Sequence, residues 1–164
     1  MTTQAAFTPE EWDLLQQTLY EPGLAIMIAA PGGMIQESFA IIQGMLEADD
    51  LFPNSELVHA LLSSQASTPG AKPEDTYAPS TSAQGLLDEF LNTMIAHLRQ
   101  AVKIVTTKAT PSELEDYQRL VLFLAEKVAN AASEGGLLGL GGERVTEAER
   151  RVLDEMKLAL RRKT

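Results

Sequence analysis

Apolar positions along this chain recur at spacings of three and four almost from end to end. That is the period of helices with one buried face. Trp12, Leu15 and Leu19 predict a first helix over residues 9–20. Glu21-Pro22-Gly23 interrupts it, and a short apolar segment follows to Ala30 before a firm break at Pro31-Gly32-Gly33. Ile35, Phe39, Ile42 and Leu46 predict a second helix over 34–48, and Leu57, Val58, Leu61 and Leu62 a shorter third, opened by Phe52-Pro53-Asn54-Ser55.

From Gly85 onward, Leu87, Leu91, Met94, Leu98, Val102 and Val105 trace one stripe up to a break at 106–110. Beyond it, Leu114, Tyr117, Val121, Leu124, Val128 and Ala131 alternate spacings of three and four, as in coiled-coil packing. Leu120, Leu122 and Phe123 fill the other faces of the same helix. A helix apolar all round is buried on more than one side. It is either the centre of a bundle or it lends a face to a partner chain, and the two are compatible. A last helix over 147–162 turns Ala148, Val152, Met156 and Ala159 inward.

Three of these helices announce their starts. Thr8-Pro9-Glu10-Glu11 and Thr110-Pro111-Ser112-Glu113 place Thr at the cap, Pro at the first helical position and Glu three residues after the cap. Thr146-Glu147-Ala148-Glu149 repeats the box without the proline. The hydroxyl and the carboxylate satisfy backbone amides that the helix leaves free, while Pro gives up a hydrogen that has no partner there. No strand is expected, because β-branched stretches such as 103–107 sit inside continuing helical periodicity. The expected fold is all-α: a single-domain bundle of five to seven helices over 1–164. A Ser-, Thr- and Pro-rich flexible connection at about 63–82 joins its parts, with Tyr77 as a candidate pin onto the helices.

Composition narrows the function classes. Of 164 residues, 45% are apolar but only 5% aromatic, and there is no cysteine, so disulfides, thiol nucleophiles and thiolate metal sites are excluded. A net charge of −10 argues against nucleic acid. The one dense basic cluster, Arg161-Arg162-Lys163, complements the negative end of a helix dipole. With no basic leader and no apolar run long enough to span a bilayer, the expected setting is the cytoplasm, with no membrane partner.

The glycine loop after Ala132 invites comparison with a phosphate cradle. A helix rather than a strand precedes it, no Gly-Lys-Ser/Thr follows, and Glu143, Glu147 and Glu149 surround it with carboxylates. Gly135 and Gly136 read instead as a helix stop, and Leu137, Leu138 and Leu140 as a leucine-studded turn. His59 and His97 belong to no zinc-ligand pair, and no Gly-x-Ser-x-Gly elbow occurs. Carboxylates are the plentiful reactive group: Glu47, Asp49 and Asp50 close one helix, and Glu113, Glu115 and Asp116 open another. Hard cations take oxygen ligands from such clusters, although the EF-hand pattern is absent.

The two halves share a plan: a capped helix, an apolar helix ending in glycines, then a helix with Glu soon after an aliphatic residue. The opening "FTPEEW" and the late "GGLLGLGGERVTEAE" resemble an uncharacterised group of small bacterial all-helical proteins. More remotely, the pattern of Ala-Ala, glycine, aliphatic and Glu is similar to the tellurite-resistance-B-like helical domains. That resemblance implies a stress-related module with acidic metal-binding positions. This chain carries Pro31-Gly32 and Gly141 where that pattern has Asp before Gly.

The leading expectation is a non-enzymatic module that acts through a protein partner or a second copy of itself, without cofactor or catalytic residues. Leu122, Phe123, Leu137, Leu138 and Leu140 are its candidate contact residues. The alternative is a divalent-cation-responsive protein using Glu47, Asp49, Asp50, Glu113 and Asp116. A third reading, a small apolar ligand between helices, rests on Met27, Met34, Met45 and Met94, whose side chains adapt to irregular cavities.

Overall fold

In the computed structural model, residues 2–29, 34–65, 83–134 and 145–161 are described. A short 3-10 turn, Gln4–Ala6, leads into α1 (Pro9–Ala29). It is followed by α2 (Met34–Leu51), α3 (Glu56–Gln65), α4 (Ala83–Lys108), α5 (Pro111–Glu134) and α6 (Glu147–Leu160). No strand occurs among the described residues, and the architecture is an all-α bundle. Residues 66–82 and 135–144, which hold Tyr77 and the glycine loop with Leu137, Leu138 and Leu140, lie outside the described residues. So do the last two cations of the basic cluster, Arg162 and Lys163.

All three capping boxes form. The Thr8 amide donates to Glu11 Oε2 at 2.8 Å and the Glu11 amide returns to Thr8 Oγ1 at 3.2 Å. Thr146 and Glu149 make the same exchange at 2.6 and 3.2 Å. At Thr110 and Glu113 it is extended by contacts from a distant part of the chain, described below.

The first helix does not stop at Tyr20. It runs through Glu21-Pro22-Gly23 to Ala29. A proline inside a helix removes one hydrogen bond and costs about 3 kcal/mol. Here Leu19, Pro22, Gly23, Ala25 and Ile26 are all buried, and packing on both sides of the proline outweighs the local preference. Gly23 has a role that a turn would not give it. A Cβ there would lie 3.2 Å from both Ile41 Cδ1 of α2 and Val128 Cγ2 of α5. Its bare backbone therefore lets three helices meet. The third helix also extends further than the flexible connection allows, holding Ser63, Ser64 and Gln65 in its last turn.

The core follows α4 and α5. Leu87, Leu91, Met94, Leu98, Val102 and Val105 are all buried, as their stripe predicts. On α5, Leu114, Tyr117, Leu120, Val121, Leu124, Ala125, Val128 and Ala129 are buried, and α1, α2, α3, α4 and α6 all pack against this helix. With five helices packed on it, α5 is the central helix of the bundle, although Glu115, Arg119, Glu126 and Asn130 keep one side of it in solvent.

The second helix packs the other way round. Its buried side is built from Ala40, Gly44 and Ala48, one small residue every fourth position, with Ile41 and Met45 alongside. A Cβ at Gly44 would come within 3.1 Å of Leu124 Cδ2, so α2 lies close upon α5. Phe39, Ile42 and Leu46, whose recurrence marks the helix in sequence, sit on the opposite side and face outward.

Candidate functional site

Seven large hydrophobic residues stay exposed among the described residues, and four of them, Phe39, Ile42, Leu46 and Leu51, belong to α2. Phe39 is 67% exposed, Ile42 59% and Leu46 72%. Residues spaced three and four apart share one helix face, so these three form a single apolar strip along α2. No charged residue lies between Phe39 and Leu46, in a chain that carries a net charge of −10. Beyond the strip, α2 ends in acid: Glu47, Asp49 and Asp50. On α1, which meets α2 at the Gly23 and Ile41 contact, Leu24 and Ile28 add two further exposed aliphatics one turn apart.

Leu122 and Phe123 are half-buried and pack against the core rather than standing free. With Leu51, Phe52 and Arg119 they line a shallow hollow of about 290 Å³, and the Lys127 ammonium sits 5.6 Å from the Phe123 ring centroid. They belong to the α5 shoulder beside the end of α2. The outward strip of α2 was the surface that periodicity missed. The signal was there in side-chain size, since the small residues Ala40, Gly44 and Ala48 mark the face that a neighbouring helix can approach.

The acidic candidates do not gather. Glu47 pairs with Lys127 at 2.5 Å, and Asp49 Oδ1 lies 2.5 Å from His59 Nδ1. Asp50 is exposed, and Asp116 lies 3.9 Å from Arg119. Glu113 is buried and serves as an anchor. It accepts from the Thr2 amide and hydroxyl, both at 2.8 Å, and from the Thr110 amide and hydroxyl at 3.0 and 2.8 Å. Burial alone would push its carboxyl up, but the hydrogen bonds from Thr110 and Thr2 together prevail and hold it down to about 2. Among the described residues no group of three or more potential ligands is placed to hold a metal ion. Of the methionines singled out, Met94 is buried and Met27 and Met45 pack partly buried against the core, while the Met34 side chain lies outside the described residues.

One polar layer crosses the middle of the bundle. Thr18 Oγ1 and Tyr117 Oη lie 2.6 Å apart, joining α1 to α5. Glu21 Oε1 lies 2.7 Å from His97 Nδ1, joining α1 to α4. Burial raises the Glu21 carboxyl, with His97 pulling it back, and burial also raises the Tyr117 phenol. Chemically the layer is a set of cross-braces, and no pocket described here opens onto it. Glu21 was hidden in the sequence because the adjoining Pro22 and Gly23 make it read as part of a turn.

No helix among the described residues is long and apolar enough to cross a membrane. No family model, curated protein or solved structure matches this chain.

Proposed function

We propose that this protein is a helical interaction module that pairs with a second copy of itself through the outward strip of α2. The observation that carries this reading is the exposure of Phe39, Ile42 and Leu46 on one face of α2, in a stretch without a charged residue. Their spacing of three and four is the one that lets two helices interleave side chains. Full burial is worth roughly 1.5–3 kcal/mol for each such side chain, which gives the pairing its driving force. An antiparallel arrangement about a two-fold axis sets the acidic end of each α2 against the N-terminal end of the other. The helix dipole favours negative charge there. A parallel arrangement would stack two acidic ends. A role in stress response, suggested by the resemblance to tellurite-resistance-B-like domains, would use such an assembly as its scaffold.

The test is sedimentation velocity over a wide concentration range on the wild type and on a Phe39→Ser, Leu46→Glu variant. A concentration-dependent dimer that the variant abolishes, with its helical circular dichroism unchanged, supports the reading. A strict monomer at every concentration overturns it. So does a dimer that survives this variant but is lost on Leu122→Glu, since the contact would then lie on the α5 shoulder.

A further inference from the structure

A groove of about 400 Å³ runs between α4 and α6 at the ends where both helices finish. Its floor is apolar, made by Val102 and Ala159, both buried, and the exposed Leu158 forms one wall. Its rim carries three cations, Arg99, Lys103 and Arg161, and among the described residues no carboxylate lines it, although the chain has 23 acidic residues. The pairing of the other cations among the described residues makes this distribution informative. Lys108, Arg119, Lys127, Arg151 and Lys157 each form an ion pair, and Arg150 is also engaged. Arg99, Lys103 and Arg161 form none with any described residue, and all three border the same groove.

Helix ends attract cations, but that attraction fades beyond the last turn. It accounts for Arg161, which directly follows α6. It does not account for Arg99 or Lys103, which precede the last turn of α4. Three exposed cations gathered around one apolar floor set up a local positive potential, and each can make charge-assisted hydrogen bonds, so the rim favours an anion. The Thr106 and Thr107 hydroxyls at the same rim already donate to the carbonyls of Val102 and Lys103, at 2.6 and 2.8 Å. Contact with an anionic head group therefore falls to the guanidinium and ammonium groups.

We propose that this groove binds a small amphipathic anion, with its carboxylate or phosphate head held by Arg99, Lys103 and Arg161 and its apolar body laid on Val102, Ala159 and Leu158. The volume suits such a ligand, since pockets for small molecules span roughly 300–1,000 Å³. The site is independent of the α2 strip. Affinity falls as salt rises, since the rim is open to solvent.

The full chain is titrated by calorimetry with octanoate, octyl phosphate, octanol and inorganic phosphate, with amide chemical-shift mapping to locate the contact. Both octyl anions are expected to bind with one-to-one stoichiometry and to shift the α4 and α6 amides. Octanol and inorganic phosphate should bind about tenfold more weakly or worse, because each offers half of the chemistry. Whichever octyl anion binds more tightly identifies the head group as carboxylate or phosphate. The Arg99→Gln, Lys103→Gln variant, on exposed positions, should keep its helical signal and lose affinity about tenfold. The proposal is overturned if octanol binds as tightly as the anions, or if the double variant binds them unchanged. An acidic peptide that binds where no octyl anion does would overturn it equally.

Discussion

Two helices of this bundle carry bulky apolar residues on more than one face, and they end in opposite situations. Helix α5 is enclosed by five neighbours and buries Leu120, Val121 and Leu124 together. Helix α2 touches its neighbours through Ala40, Gly44 and Ala48 and leaves Phe39, Ile42 and Leu46 in solvent. Hydrophobic content therefore does not decide which face a helix buries. Where both faces are apolar, the one with small side chains wins the close contact, because it lets backbones approach. The bulky face is left for whatever comes next.

The widest separation between the two helices should appear in stability. Leu120→Ala in α5 is expected to cost about 3 kcal/mol, the usual penalty for a cavity in a closed core. Leu46→Ala in α2 should change monomer stability by less than about 0.5 kcal/mol. Urea denaturation at low protein concentration measures both, and equal losses would erase the distinction.

A smaller effect probes the contact between the two helices. Gly44→Leu adds bulk where even a Cβ would lie 3.1 Å from Leu124 Cδ2. Overpacking should lower stability by about 2 kcal/mol, despite the gain in helix propensity, and thermal unfolding would register it as a lower Tm. An unchanged Tm would mean that α2 rides loosely on α5.

The start of α5 sharpens the contrast through pH. Glu113→Ala should cost about 2 kcal/mol at neutral pH, combining a lost cap with lost charge-assisted hydrogen bonds. The folded carboxyl is held down to about 2 from an ordinary 4.5, so its contribution is fully present above 4.5 and disappears as pH falls through about 2. Wild type and variant should therefore converge in acid. A gap that persists at low pH would assign the loss to packing instead.

The end of α2 should give the smallest response. Asp49→Asn removes the partner of His59, a largely solvated pair worth about a few tenths of a kcal/mol. The Asp49 hydrogen bond raises the His59 pKa above 6.5, so this contribution is present below 6.5 and fades as pH climbs through the raised value. Stability curves at mildly acidic and mildly alkaline pH would show the difference only on the acidic side.

Much of this architecture is legible in the sequence, for reasons that differ from element to element. The capping boxes at Thr8, Thr110 and Thr146 are local, with every participant within three residues, so they read directly. The α4 stripe reads directly too, because its other face is polar and leaves one choice of orientation. Helix α1 misleads at Pro22, where distant packing from α2 and α5 overrides a strong local stop. Helix α2 misleads because period alone cannot rank two apolar faces. The contact candidates Leu122 and Phe123 lie on the α5 shoulder, half-buried, and the larger exposed strip sits one helix away. The cationic groove is invisible in one dimension. Lys103 and Arg161 are far apart along the chain, and only the packing of α4 against α6 makes them neighbours.

The braces from α1, Thr18 to Tyr117 and Glu21 to His97, also act as a ratchet stop. Greasy helices can glide past one another by a turn and meet an almost equivalent set of aliphatic neighbours. Gliding α1 by one turn here would tear the Thr18 hydroxyl from the Tyr117 phenol and the Glu21 carboxyl from His97. Each buried group stranded in this way costs about 1–3 kcal/mol. Two short polar contacts thus select one alignment from several that oily packing alone would tolerate.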